Sequence, residues 1–221
     1  MKRILALLIL FVVGVTIAYF MLLPKEKPLP IINPVDIEEE MVDPELLRVG
    51  KGHRIGSFSL LNQDGETITE KEVEGKVYVA EYFFTTCATI CPRMNDQMRR
   101  IQLKFADNDE VRLMSFTVDP EVDTVEQMKR YAEDHGAKTG QWHFLTGTKE
   151  ALYSLARKSF FVLKPAEAQN LGDVGSDFIH TNNFVLVDRL GRIRGYYDGT
   201  SKQEVDELML DIQRLLDEEE I

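Results

Sequence analysis

The only two cysteines of this 221-residue chain, Cys87 and Cys91, lie four positions apart in the stretch FFTTCATICP. A disulfide between them would close so short a loop that it would stabilise the fold little through chain entropy. Thiols at this spacing can instead exchange with disulfides or bind a metal ion as thiolates. The pair therefore predicts either redox chemistry or a metal site.

The elements around the cysteines favour the thiolate form. Residues 76–84 (KVYVAEYFF) are rich in β-branched and aromatic residues, which is typical of a buried strand. A helical pattern follows Pro92. We expect Cys87 and Cys91 to share one face of that helix near its start, because residues i and i+4 of a helix lie on one face. Backbone N–H groups at a helix N-terminus favour thiolate over thiol.

A third ligand for a metal could come from one of four histidines. His53 lies in a basic stretch and His135 ends an acidic helix, so both are discounted. His143 falls within a predicted strand, whereas His180 follows a glycine-containing loop just before another strand, and the residues alone leave it open as a ligand. Two thiolates and one imidazole suit Cu(I), and one further ligand would admit Cu(II). Structural zinc would need a fourth protein ligand.

The rest of the chain alternates strands with helices. This order predicts an α/β fold with a mixed central sheet flanked by helices. In such sheets, sites form outside the carboxyl ends of strands, which is where the cysteines fall. The predicted elements are a hairpin over 58–69, strands at 76–84, 111–118 and 142–145, helices at about 93–105, 124–135 and 149–159, a hairpin over 184–197 and a helix at about 202–218.

The N-terminal region predicts a membrane anchor. The run from Ile4 to Leu23 carries no charged residue, and about 20 apolar residues span a bilayer as a helix. No small-residue cleavage site or cysteine follows it, which favours an uncleaved transmembrane helix. We predict residues 1–23 as a cytoplasmic N-terminus and anchor, 24–45 as an extended acidic and proline-rich linker, and 46–221 as a domain outside the cell's inner (cytoplasmic) membrane.

The charge of the chain argues against nucleic-acid binding. Lys and Arg number 26 against 37 Asp and Glu, a net charge of −11, and no stretch concentrates the cations that phosphate binding requires. Outside the cytoplasm, a chain with only two cysteines does not depend on disulfides for its fold, so the pair is free for chemistry.

Together these motifs resemble the Sco/SenC family of membrane-anchored, thioredoxin-like copper proteins, over roughly residues 56–216. The family's Cys-x-x-x-Cys-Pro motif is matched at 87–92, and its distal histidine before an apolar strand ending in Asp is matched by His180 and 184–188. Where the family often has proline, this chain has Ala88 and Val125, and neither change removes a ligand. Further matches are Asp119-Pro120, Asp123-Thr124 and Leu145-Thr146-Gly147.

The resemblance implies a thioredoxin-like fold and one copper ion, Cu(I) or Cu(II), bound by Cys87, Cys91 and His180. It implies a metallochaperone, rather than a classical enzyme, that assists assembly of the binuclear copper centre of a respiratory cytochrome c oxidase. The implied partners are the copper-site subunit of that oxidase and another copper chaperone or a thiol reductant.

Other functions share the cysteines. The main alternative is a thiol-disulfide oxidoreductase, in which Cys87 and Cys91 are the redox-active pair that reduces a partner's copper-site cysteines. A copper or redox sensor also stays open. A thiol peroxidase is disfavoured because no arginine-based peroxide pocket is evident around Cys87.

Overall fold

The structure is a computed structural model that describes residues 4, 9–16, 27–48, 50–162 and 182–218. Residues 9–16 are helical, but the predicted anchor at 4–23 falls largely outside the described residues. Within the described ranges, no helix has the length and apolar character needed to cross a membrane. His180 also lies outside the described residues.

The described elements follow the predicted order of strands and helices. Single helical turns at Pro34–Asp36, Glu39–Met41, Pro44–Leu47 and Glu70–Glu72 accompany the longer elements. The strands are β1 Ser59–Leu61, β2 Thr67–Thr69, β3 Val77–Phe83, β4 Val111–Thr117, β5 Trp142–Leu145, β6 Asn183–Val187 and β7 Ile193–Asp198, and the helices are α1 Cys91–Lys104, α2 Val125–Asp134, α3 Lys149–Lys158 and α4 Lys202–Asp217.

Local sequence signals explain where several elements begin. Helices α2, α3 and α4 each begin after a hydroxyl residue, Thr124, Thr148 or Ser201, whose side chain accepts a hydrogen bond from a backbone N–H of the first turn. The β1–β2 hairpin turns at Gly65, whose φ of +77° suits a residue without a Cβ. Both signals are readable from the sequence.

A five-stranded mixed sheet forms the centre of the domain, in the order β5-β4-β3-β6-β7. Strand β3 runs parallel to β4 and antiparallel to β6, so it has a partner on each side. Every residue of β3 is buried, which explains why its sequence is apolar without alternation. The prediction of an α/β fold with a mixed sheet and flanking helices is confirmed.

Alternating residues of β3 contribute to two cores, one on each face of the sheet. Val79 and Phe83 lie in the core that also contains both cysteines and buried residues of α1, α2 and α4. Tyr78 and Tyr82 lie in the other core, with α3. Met94, Met98 and Ile101 of α1, and Phe105 directly after it, are all buried in the cysteine-side core.

Part of the predicted linker lies along the domain. We call residues 29–42 the strap. Ile32 forms a β-bridge with Ile193 at the edge of the sheet, and Val42, only 1% exposed, joins the core on the α3 side. The segment carries four acidic residues and two prolines, but a few of its apolar residues are enough to fix it to the domain.

Arg194 of β7 connects the strap to Asp188, which follows β6, and to Glu218, which follows α4. Its guanidinium donates hydrogen bonds to the backbone oxygens of Leu29 and Pro30 at 2.8 and 3.1 Å. It also pairs with Asp188 at 3.0 Å and, through two nitrogens, with Glu218 at 2.9 and 3.0 Å. The side chain is 3% exposed, so these partners replace the water that it lacks.

Replacing this guanidinium should destabilise the protein strongly. We expect Arg194→Met to lower the free energy of unfolding by about 3 kcal/mol, because it removes the donor to two carbonyls and leaves the buried Asp188 carboxylate with only one of its two arginine partners, Arg192. Urea unfolding measures the loss, and Lys129→Met, which breaks an exposed pair with Asp64, should change stability by less than about 1 kcal/mol. Equal effects of the two substitutions would contradict a structural role for Arg194.

Candidate metal centre

The cysteines lie directly beyond the carboxyl end of the central strand. Cys91 is the first residue of α1, while Cys87 lies in the loop before it, where its N–H bonds to the Phe84 carbonyl at 3.2 Å. The prediction that both share one helical face is wrong. A helix extended back to Cys87 would place Pro92 in its interior, where a proline lacks the needed N–H and clashes with the preceding turn.

The loop nevertheless brings the two thiols together. Cys87 and Cys91 are free and buried, and they are close enough that each shifts the pKa of the other. The backbone N–H groups of Thr89 and Cys91 also point at the Cys87 sulfur, and the Thr89 hydroxyl lies 3.8 Å from it. Cys87 therefore has the surroundings of a thiolate at a helix N-terminus.

The two thiols differ in acidity. Burial alone would raise the pKa of Cys87, but the hydrogen bonds from the Cys91 and Thr89 N–H groups outweigh it and lower the pKa to about 7. Burial raises the pKa of Cys91 well above its usual range, an effect that a hydrogen bond from the Phe84 N–H offsets only in part and that nearby Cys87 increases. Near neutral pH, Cys87 is thus the more readily ionised and more nucleophilic thiol, and Cys91 keeps its proton.

A buried carboxyl group lies on the same face of the sheet as the cysteines. Glu81 of β3 is fully buried and accepts a 2.5 Å hydrogen bond from the Ser115 hydroxyl, which in turn accepts one of 2.8 Å from the indole of Trp142. Its second carboxyl oxygen has no hydrogen-bond partner among the described residues. Burial raises the pKa of Glu81 to about 7, against the lowering effect of Ser115.

Glu81 is not among the site residues that the sequence predicts. The available signal is a single acid inside an otherwise apolar strand, because a charged residue is rarely buried without a partner. Electrostatic interaction between Glu81 and Cys91 contributes to the raised pKa of that cysteine. The carboxyl group thus belongs to the electrostatic surroundings of the thiol pair.

None of the three described histidines forms a metal-binding cluster with the thiols. His143 alternates with Trp142 and Phe144 of the cysteine-side core, so it lies on the opposite face of the sheet, 3.7 Å from Glu72. His53 bonds to the backbone oxygen of Ser159 at 2.8 Å, and His135 follows α2. Among the described residues, no three His, Cys, Asp or Glu side chains cluster as a metal site would require.

The fold and the thiol pair define a class of protein. A mixed sheet whose central strand ends in a cysteine loop leading into a helix is the arrangement of thioredoxin-like proteins. The pattern of the SCO1/SenC family matches residues 49–217, most of the chain. The chain belongs to the SCO1/SenC family, and the resemblance seen in its motifs is confirmed.

Relatives and solved structures agree with this assignment. The chain is 34% identical over 163 residues to the SCO1 protein homolog of Bacillus subtilis, covering 73% of this chain and 82% of the relative. BsSco, a member of the Sco family of cytochrome c oxidase assembly proteins with an identified disulfide switch, is 32% identical with a TM-score of 0.61, over 73% of this chain and 92% of BsSco. Copper-bound ScoI of Arabidopsis thaliana is 25% identical with a TM-score of 0.56, over 72% of this chain and 98% of ScoI.

The raised pKa of Glu81 predicts a measurable pH dependence. Between its ordinary value of 4.5 and about 7, the folded protein holds a proton that the unfolded chain releases, so this group makes stability fall as pH rises through that window. Glu81→Gln keeps the neutral form at every pH. We therefore expect the stability of the variant relative to the wild type to increase by about 3 kcal/mol between pH 4.5 and pH 7.5.

Urea unfolding of both proteins across this range checks the effect. Taking the difference between variant and wild type removes the contributions of the histidines, which titrate in the same window. A difference that does not change with pH would show that Glu81 titrates at its ordinary value.

Proposed function

We propose that this protein binds one copper ion through Cys87, Cys91 and His180 and carries it to the copper-site subunit of a respiratory cytochrome c oxidase. Copper is its cargo rather than a resident cofactor. The observation that carries the proposal is the pair of free, buried thiols beyond β3, one of which has its pKa lowered to about 7.

The chemistry of the thiol pair suits a soft metal ion. Thiolates prefer Cu(I) over the hard cations that carboxylate oxygens bind. With a pKa of about 7, Cys87 is already partly ionised at neutral pH, whereas Cys91 must release its proton before it can bind a metal. Copper loading should therefore release a proton, and it should require the reduced pair.

The register of the sheet supports His180 as the third ligand. Strand β6 begins at Asn183, three residues after His180, and pairs antiparallel with β3 through Tyr78–Val187 and Ala80–Val185. The beginning of β6 therefore lies at the end of β3 from which the cysteine loop departs. His180 precedes the beginning of β6 by three residues in the sequence.

The comparisons support both the cargo and the partner. ScoI of Arabidopsis thaliana binds copper, and BsSco belongs to a family of cytochrome c oxidase assembly proteins. We extend both properties to this chain because it shares the family and the thiol pair. A second copper chaperone or a thiol reductant is a further proposed partner, since the site must receive metal and be kept reduced.

Thiol-disulfide exchange is the second candidate function, and the unequal acidity of the thiols favours it. In this reaction the Cys87 thiolate attacks a partner disulfide and forms a mixed disulfide. Cys91 then attacks the Cys87 sulfur, the reduced partner leaves, and a Cys87–Cys91 disulfide remains. A disulfide switch has been identified in BsSco, which supports redox chemistry as a candidate here.

Removing the imidazole separates the two functions. We expect His180→Ala to weaken Cu(I) binding by at least about 100-fold through loss of one of three ligands, while thiol-disulfide exchange continues because it needs only the thiols. Competition with a Cu(I) chelator and reduction of a disulfide substrate measure the two activities. Cells carrying the variant should assemble cytochrome oxidase poorly unless copper is added.

Two controls make the result specific. His143→Gln removes an imidazole from the other face of the sheet and should bind copper as the wild type does. Cys87→Ser should abolish both activities. Unchanged Cu(I) affinity in His180→Ala would remove His180 from the site and favour the reductase.

We further propose that residues 1–23 anchor the protein in the inner (cytoplasmic) membrane as a single span. Residues 24–45 then link the anchor to the domain at 46–221, which lies on the extracytoplasmic side. The apolar run from Ile4 to Leu23 supports this arrangement. Mass spectrometry of the membrane fraction should find the first residues retained. A mature chain in the soluble fraction that starts after Leu23 would contradict the anchor.

A further inference from the structure

The loop that carries Cys87 is fastened to a buried carboxylate 38 residues further along the chain. Asp123, which is fully buried, accepts hydrogen bonds from the Thr85 N–H at 3.2 Å and from the Thr85 hydroxyl. It also accepts one from the hydroxyl of Thr117, the last residue of β4. These hydrogen bonds stabilise the buried carboxylate, and they also restrict the positions of Thr85 and Thr117.

The segment that contains Asp123 is itself fixed by hydrogen bonds. The carbonyl of Asp119 accepts from the N–H groups of Val122 and Asp123 at 3.1 and 2.8 Å, and the Asp119 N–H donates to the Thr117 hydroxyl at 2.9 Å. This turn, which begins directly after β4, holds the Asp123 carboxylate beside the cysteine loop.

Helix α2 adds a second contact to the same point of the loop. Thr124 caps α2, and the amide of Gln127 in its first turn donates to the Thr85 hydroxyl at 3.4 Å. Thr85 therefore both donates to Asp123 and accepts from Gln127. Because Thr85 lies two residues before Cys87, these contacts restrict the backbone that places the thiol.

We propose that Asp123 and Thr85 are positioning residues that hold Cys87 against the N–H groups of Thr89 and Cys91 and beside the Cys91 thiol. Neither residue touches the sulfur atoms. They act through the loop, by reducing the number of conformations available to Cys87 before it pairs with Cys91. The proposal concerns the thiol pair itself, and it rests on the proposed function only for copper binding.

A conservative pair of substitutions at Thr85 tests this role. Thr85→Val keeps the shape of the side chain and removes the hydroxyl, while Thr85→Ser keeps the hydroxyl. In Thr85→Val we expect the equilibrium constant for forming the Cys87–Cys91 disulfide against glutathione to fall about tenfold, because a less restricted loop lowers the effective concentration of one thiol beside the other. Cu(I) affinity should fall about 10- to 100-fold.

Thr148→Val is the matched control for lost stability. It also removes a threonine hydroxyl that accepts a backbone hydrogen bond, from Ala151 at the start of α3, but α3 packs on the opposite face of the sheet. This variant should keep the wild-type disulfide equilibrium and copper affinity, and Thr85→Ser should stay within about twofold of the wild type. All measurements use the full-length protein in detergent solution.

The outcomes are decisive in either direction. An unchanged disulfide equilibrium in Thr85→Val, or an equal change in Thr148→Val, would overturn the positioning role. Asp123→Asn should reproduce the effect of Thr85→Val, and if it fails to fold, the Thr85 variants still decide. A wild-type protein that binds no copper would contradict the proposed function. The equilibrium constant for the Cys87–Cys91 disulfide would still test the positioning of Cys87.

Discussion

The central position of β3 is the constraint on which the rest of the domain depends. With a strand on each side and a core on each face, β3 exposes none of its residues, and its backbone polar groups must find their partners in β4 and β6. The cysteine loop follows the end of β3, so the thiols are placed by a strand that is held on both edges and both faces.

Two carboxyl groups are buried near this end of the sheet, and they differ in the number of their hydrogen-bond donors. Burial raises the pKa of Asp123, but hydroxyl and N–H donors oppose this effect and satisfy its oxygens. Glu81 has one hydroxyl donor and a second oxygen without a partner among the described residues, so burial favours its neutral form. Both arrangements reduce the free energy that an isolated buried charge would cost.

Much of the fold is predictable from the sequence because its signals are local. The 3.6-residue pattern locates the buried face of α1, hydroxyl residues mark the starts of three helices, and an apolar run before Cys87 identifies the strand that delivers it. The Thr85–Asp123 contact is different, since it joins residues 38 positions apart and no local pattern specifies it. The position of Cys87 outside α1 follows from Pro92, a local signal that the i and i+4 spacing alone overlooks. The attachment of the strap depends on single residues such as Ile32 and Val42, which no periodic pattern in the segment distinguishes from its other residues.

The strap has a mechanical consequence. Arg194 and the Ile32–Ile193 bridge fasten it along β7, the edge strand that β6 separates from β3. Tension applied to the chain before Leu29 would therefore act first on these contacts. The force would be borne at the edge of the sheet, two strands away from β3, which leads to the cysteine loop. A domain pulled from its N-terminal side would thus keep the cysteine loop unloaded for as long as the strap holds.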